Sequence, residues 1–179
     1  MRALVAYASR HGATAGIADR IASGLNAAGI DAEARSVAEV DNPGSFDAVV
    51  VGAAAYMFHW LKDATRFVKR NRRVLADKPV WIFSSGPTGT DLVDEKGQDI
   101  FEAARPKEFP ELEEMIHPRG ARVFFGAWDP DAPPIGMAER FMKKMPKAAA
   151  AMPSGDFRDW EAIDAWTAEI VADLHGAAQ

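Results

Sequence analysis

Five apolar runs of strand length recur along the chain, and between them lie segments whose apolar residues repeat at helical spacing. That alternation constrains the fold more than any other feature. Strands that alternate with helices pair in parallel, through right-handed crossovers, in a sheet covered on both faces. The first run, RALVAYA at 2–8, leads through a polar loop into a helical stripe of Ile17, Ile21 and Leu25. Gly29 closes that helix, and DAEARSV then alternates small apolar with polar residues, as a half-exposed strand does. FDAVVVG at 46–52 is a continuous β-branched run that reads as a central strand. A helix follows whose inward side is placed at Leu61, Ala64, Phe67, Val68 and Leu75. PVWIFSSG at 79–86 and ARVFFGAW at 121–128 supply the fourth and fifth strands. Trp160, Ile163, Trp166, Ile170 and Leu174 give the last helix its apolar face, with Asp156 as its expected N-cap. The predicted architecture is a three-layer α/β/α, doubly wound five-stranded parallel sheet of order 2-1-3-4-5, in one domain over 1–179.

Two segments exceed that minimal pattern. Residues 86–120 form a long connection rich in Pro, Gly and acids, which is predicted to hold one or two short helices. Residues 135–147 read as an amphipathic helix with Arg140, Lys143, Lys144 and Lys147 opposite an apolar stripe. A basic amphipathic helix suits either a solvated surface or contact with an anionic membrane, and the solvated surface is the commoner case.

In this architecture ligands sit beyond the carboxyl ends of the strands, where strand order reverses. Three loops meet there. The first, Ser9, Arg10, His11, Gly12, Ala13 and Thr14, offers two hydroxyls, a glycine for close backbone approach, and N–H groups at a helix N-terminus, all suited to a phosphate. The plain alternative is that Ser9 or Thr14 caps the helix. The second, at 53–60, gathers Tyr56, Phe58, His59 and Trp60, which suits a planar ligand. Tyr56 is the preferred stacking residue, whereas Trp60 fits equally well as a core residue of the following helix. The third, at 84–89, contributes Ser85, Gly86 and Pro87 beside the same space, and taken alone it reads equally as a turn.

Competing chemistries are excluded by what the chain lacks. Neither G-x-x-x-x-G-K-[ST] nor G-x-G-x-x-G occurs, and the strand ends carry Ser9, Arg10, Gly52 and Ala53 in place of a receiver domain's acids. The absence of cysteine removes thiol catalysis, disulfides and cysteine-held clusters, and fits a cytoplasmic protein. His11, His59, His117 and His175 have no metal-ligand spacing, so no metal is expected. A net charge of -5 argues against nucleic acid as a partner. The apolar start breaks too early for a signal peptide, and no stretch is long enough to span a membrane.

ALVAYASRHGAT, FDAVVVGAAAYMFHWLKDATRFV and VWIFSSGP together resemble the flavodoxin-like FMN proteins. The long connection after strand four, GMAERFMKKM and DFRDWEAIDAWTAEI are similar to the branch that includes menaquinone-dependent protoporphyrinogen oxidases, so the likeness covers nearly the whole length. The resemblance implies FMN with its phosphate on Ser9, Arg10, His11, Gly12, Ala13 and Thr14. It implies the isoalloxazine between Ala54, Ala55, Tyr56, Met57, Phe58, His59 and Trp60 on one side and Ser85, Gly86 and Pro87 on the other. Arg10 and His11 depart from the Thr- and Gly-rich loop usual in that family. With the redox chemistry in the flavin, no separate catalytic residue is implied.

Two activities stay open: an FMN-dependent oxidoreductase acting on a quinone or other small acceptor, and an electron carrier that docks on redox proteins. A flavodoxin-like module that has lost FMN is the third. The connection at 86–119 holds nine acids against four Lys or Arg, a poor match for an anionic porphyrin and a better one for a positively charged redox partner. Trp128, after the fifth strand, is placed either in a substrate pocket or in the core.

Overall fold

A computed structural model describes residues 1–94, 96–133, 135 and 153–176. Its main sheet is formed by the parallel strands β1 (Arg2–Ala8), β2 (Asp31–Ser36), β3 (Ala48–Tyr56), β5 (Val80–Ser85) and β6 (Gly120–Phe124), in the order β2-β1-β3-β5-β6. A short β4 (His59–Trp60) turns back antiparallel on β3. Apart from that added hairpin, the five parallel strands stand in the order expected from the sequence.

Alternation along each strand explains the three layers. Leu4, Ala6 and Ala8 of β1, Val49, Val51 and Ala53 of β3, and Val80 and Ile82 of β5 face one core. That core is closed by α2 (Lys62–Arg70), α3 (Arg72–Ala76) and α5 (Phe109–Ile116). Ala3 and Val5, Ala48 and Val50, and Trp81 and Phe83 face the other, beneath α1 (Ala13–Ala27) and the last helix, α6 (Trp160–Gly176). Burial on both faces is why the central strands are uniformly apolar. Each fully buried Leu, Ile or Phe contributes roughly 1.5–3 kcal/mol. Gly52 is required by this packing, because a Cβ there would lie 2.0 Å from the Phe83 ring.

The inward residues expected of the helix after β3, Leu61, Ala64, Phe67, Val68 and Leu75, are all buried, although Asn71 divides that helix into α2 and α3. Ile163, Trp166, Ile170 and Leu174 likewise line the core face of α6. Two expectations at its start are corrected. Asp156 lies in a two-residue strand, β8 (Gly155–Asp156), which pairs with β7 (Ala127–Trp128); the side chain that accepts from the first turn is Asp159, from the Ala162 N–H at 3.0 Å. Trp160 lies outside the core, its ring covered by the Arg158 guanidinium at 4.5 Å. The run 121–128 is also two strands, because the chain leaves the sheet after Phe124. The long connection holds α4 (Ile100–Ala103) and α5, as its length demands. The amphipathic helix expected at 135–147 lies outside the described residues, save Ile135.

Candidate cofactor site

The loop between β1 and α1 is shaped by Gly12, whose φ of 85° and ψ of -16° put it in the left-handed region. Its N–H donates to Ser9 Oγ at 3.1 Å, which folds the loop on itself. Neither side chain proposed as a cap performs that role: α1 has no side-chain cap, and the Thr14 hydroxyl is instead hydrogen-bonded to Ser85 Oγ at 2.8 Å. Both residues of that pair are buried, so it ties the first turn of α1 to the end of β5. The first helical hydrogen bond runs from Gly16 N–H to Gly12 O at 2.9 Å. The N–H groups of Ala13, Thr14 and Ala15 therefore have no acceptor within the helix, and the helix dipole adds partial positive charge where they emerge.

The segment expected as an open aromatic loop is a tight hairpin. Ala55 pairs with Trp60 and Tyr56 with His59, leaving Met57 and Phe58 at the tip with φ of 51° and 65°. Two consecutive positive φ values are what a two-residue hairpin turn requires, usually met by Asn-Gly. Here two bulky residues adopt them, at a cost of about 1–2 kcal/mol each. Contacts from the long connection hold them there. Lys107 N–H donates to Phe58 O at 3.0 Å, Glu108 Oε2 accepts from the Trp60 N–H at 2.9 Å, and Glu108 Oε1 lies 2.8 Å from His59 Nδ1. Partial burial opposes the charged form of Glu108, but the bonds from His59 and the Trp60 N–H outweigh it and hold the carboxyl below its ordinary pKa.

A cavity of about 280 Å³ opens where these elements meet. Ser9, Arg10, His11, Ala13 and Thr14 line it from the first loop and the start of α1, Ala54, Ala55, Tyr56 and Met57 from the end of β3 and the hairpin tip, and Ser85, Gly86 and Thr88 from the end of β5 and the loop after it. Five expected site residues are absent from its lining. Trp60 is a core residue: it is buried, packs edge-on to Phe109 at 5.4 Å, and donates its indole N–H to Phe83 O at 3.2 Å. His59 is turned to Glu108, Phe58 is exposed at the hairpin tip, and Gly12 shapes the loop from outside the cavity. Pro87 turns its carbonyl to the Gly126 N–H at 2.8 Å.

The fourth wall consists of Gly126, Ala127, Trp128 and Asp129. Of these the sequence reading singled out only Trp128. The signal for the rest was the carboxyl end of the fifth strand, by the same geometric rule that selected the other three loops. Trp128 Nε1 is buried and has no hydrogen-bond partner among the described residues. Across the cavity the Arg10 guanidinium lies over the Tyr56 ring, 4.7 Å from its centroid, and donates to Ile135 O at 3.2 Å.

Residues 11–13 and 127–129 also border a second, more open cleft of about 720 Å³. There Arg158 is fixed by Asp156 and donates to Ala13 O at 3.3 Å. Hydrogen bonding to Arg158, against the opposing effect of burial, lowers the Asp156 pKa. Both clefts reach the N-terminus of α1, but of the two the smaller is built on the ends of β3 and β5 as well, so the smaller one is the candidate site. Among the described residues no group of three His, Asp or Glu side chains could hold a metal ion.

A family model described as a flavodoxin domain matches residues 4–154. Among solved structures, a flavodoxin from Megasphaera elsdenii, determined in solution in its two-electron reduced form, is 21% identical over 83% of this chain and 98% of that one, with a TM-score of 0.52. A cysteine-to-serine mutant of a Pseudomonas aeruginosa flavodoxin is 19% identical over 85% of this chain and 99% of that one, at 0.51. A flavodoxin from the domain Archaea is 18% identical over 84% and 97%, at 0.50. These likenesses establish the shared fold. With its five parallel strands in flavodoxin order and the family match running across all of them, the chain belongs to the flavodoxin domain family.

Proposed function

We propose that this chain is an FMN-binding redox protein, and within that class an FMN-dependent oxidoreductase that passes electrons to or from a quinone or another small acceptor. One observation carries the cofactor reading: the first turn of α1 lacks a side-chain cap and opens, beside a left-handed Gly12, on a cavity walled by Tyr56 and Trp128. Uncapped N–H groups with positive partial charge fit a phosphate monoester, and aromatic walls fit a flat ring. The backbone of residues 9–14 would hold the phosphate. Tyr56, Met57 and Trp128 would bound the ring, with the Trp128 indole N–H available to a ring oxygen or nitrogen. The isoalloxazine supplies the electron transfer when bound, and the protein sets its potential and screens it from water.

The oxidoreductase reading rests on the fourth wall, because Ala127, Trp128 and Asp129 also border the more open cleft, from which a small acceptor would approach the ring. A carrier is the second reading, favoured by carboxylates on the long connection, such as Asp91, Asp99 and Glu102, near exposed Leu92 and Val93. The same carboxylates weigh against an anionic porphyrin as substrate, although the likeness to the protoporphyrinogen oxidase branch keeps that substrate worth assaying. No helix among the described residues is long and apolar enough to cross a membrane. We place the protein in the cytoplasm.

Titration of the protein with FMN and with riboflavin, followed by quenching of flavin fluorescence, tests the phosphate assignment. FMN is expected to bind at least about tenfold more tightly, since charge-assisted hydrogen bonds contribute roughly 1.5–3 kcal/mol. Equal affinities would overturn it. Reoxidation of the dithionite-reduced holoprotein then separates the activities: rapid turnover with a soluble quinone supports the enzyme, and salt-sensitive transfer to a basic cytochrome supports the carrier.

A further inference from the structure

Arg158 links the first turn of α1 to the fourth wall of the cavity. Phe157 N–H donates to Gly126 O at 3.0 Å and β8 pairs with β7, so the segment that carries Arg158 is fixed to the wall that carries Trp128. Asp156 holds the arginine in place: its carboxylate accepts from the Arg158 backbone N–H at 3.1 Å, from Nε at 2.8 Å and from Nη2. The guanidinium lies over the Trp160 ring, and only 19% of the side chain is exposed. Its remaining nitrogen, Nη1, donates to Ala13 O at 3.3 Å. Gly16, one turn along the helix, makes room for that contact, because a Cβ there would stand 2.5 Å from Nη1. The charge of Arg158 is met by Asp156, so what it brings to the site is a rigid planar fork of donors shared between a strand pair and a helix end. Resting on the FMN reading above, we propose that Arg158 is a positioning residue: it fixes the first turn of α1 against the Trp128 wall, so that one ligand meets the phosphate donors and the ring wall together. A site already set for both parts of a ligand spends less of its binding energy on ordering.

Riboflavin has the ring without the phosphate, so the ratio of its dissociation constant to that of FMN reads how well the helix turn is placed. The test measures both constants by fluorescence quenching in wild type, Arg158→Ala, Arg158→Lys, Gly16→Ala and the Gly16→Ala, Arg158→Ala double variant, with urea denaturation of each apoprotein. Wild type should show a ratio of at least about tenfold, and Arg158→Ala one within about threefold, with riboflavin affinity kept. Lysine supplies the charge without the fork, so Arg158→Lys should not restore the ratio. In Gly16→Ala the end of the arginine gives way to the new methyl group, and the ratio should fall even though alanine is the better helix former. In the double variant the alanine at position 16 should add no further fall. An unchanged ratio in Arg158→Ala, or one restored by lysine, would overturn the proposal, the second because charge alone would then explain the effect. Equal loss of both flavins in step with stability would also overturn it and leave Arg158 a purely structural residue. If Arg158→Ala does not fold, Gly16→Ala decides, since it keeps the arginine and its partners, and an unchanged ratio there would overturn the proposal. Failure of wild type to bind either flavin would instead overturn the cofactor reading on which the proposal stands.

Discussion

Thr14 and Ser85 meet across 71 residues of sequence, and their hydrogen bond joins the helix that bears the phosphate loop to the strand that bears the third loop. Replacing Thr14 by Val keeps the shape and leaves Ser85 Oγ buried without this partner, a change that costs about 1–3 kcal/mol. Urea denaturation of Thr14→Val should show that loss, together with weaker FMN binding; a stability equal to wild type would mean that the pair is not structural. Trp60 makes the converse case. Its indole N–H satisfies a buried carbonyl in the core, so Trp60→Phe should cost about 1–3 kcal/mol while FMN affinity stays within about twofold. A large loss of affinity at unchanged stability would return Trp60 to the site. The sequence marked Trp60 as either core or stacking residue, and both readings fit an aromatic at that position. Only the turn at Met57 and Phe58, which reverses the chain and points Trp60 inward, decides between them.

The hairpin β3–β4 and the long connection belong together as elements. Lys107 and Glu108 hold a turn whose two residues would otherwise favour other backbone conformations, and the wall formed by Tyr56 and Met57 depends on that turn. Glu108 has its pKa lowered in the folded state, so its contribution is fully present above the ordinary carboxylate pKa of about 4.3 and is lost as pH falls through the lower folded value. Wild type should therefore exceed Glu108→Gln in stability above about pH 5, and the difference should close toward pH 3. A difference that is independent of pH would remove charge from the explanation. Gly52 carries a different kind of constraint, since a methyl group there meets the Phe83 ring. Gly52→Ala should destabilise by about 1–3 kcal/mol in thermal or chemical denaturation, and a neutral result would mean that the ring has room to move. The parallel strands were legible because β-branched runs and helical stripes are long and periodic. The hairpin was not, because Met-Phe carries none of the Asn-Gly chemistry that announces a two-residue turn. Asp156 was expected as the cap because it precedes the helix in sequence, as Asp159 also does, and only the pairing of β8 with β7 sets where the helix starts.

For the whole molecule, strand order places the loops after β1, β3 and β5 on one edge, and this made most of the cavity legible in the sequence. The wall from Gly126 to Asp129 went largely unread because the sequence joins two strands into one run, and the break after Phe124 depends on where the chain leaves the sheet. The proposed FMN site lies at this edge and rests on the uncapped N-terminus of α1. Its most direct test is the visible absorbance of the purified protein after addition of FMN and removal of the unbound excess. A flavin spectrum retained at close to one equivalent per chain, and lost in Tyr56→Ala, is the expected result. Complete loss of flavin from the wild-type protein at micromolar concentration would contradict the claim and leave the fold as an interaction module.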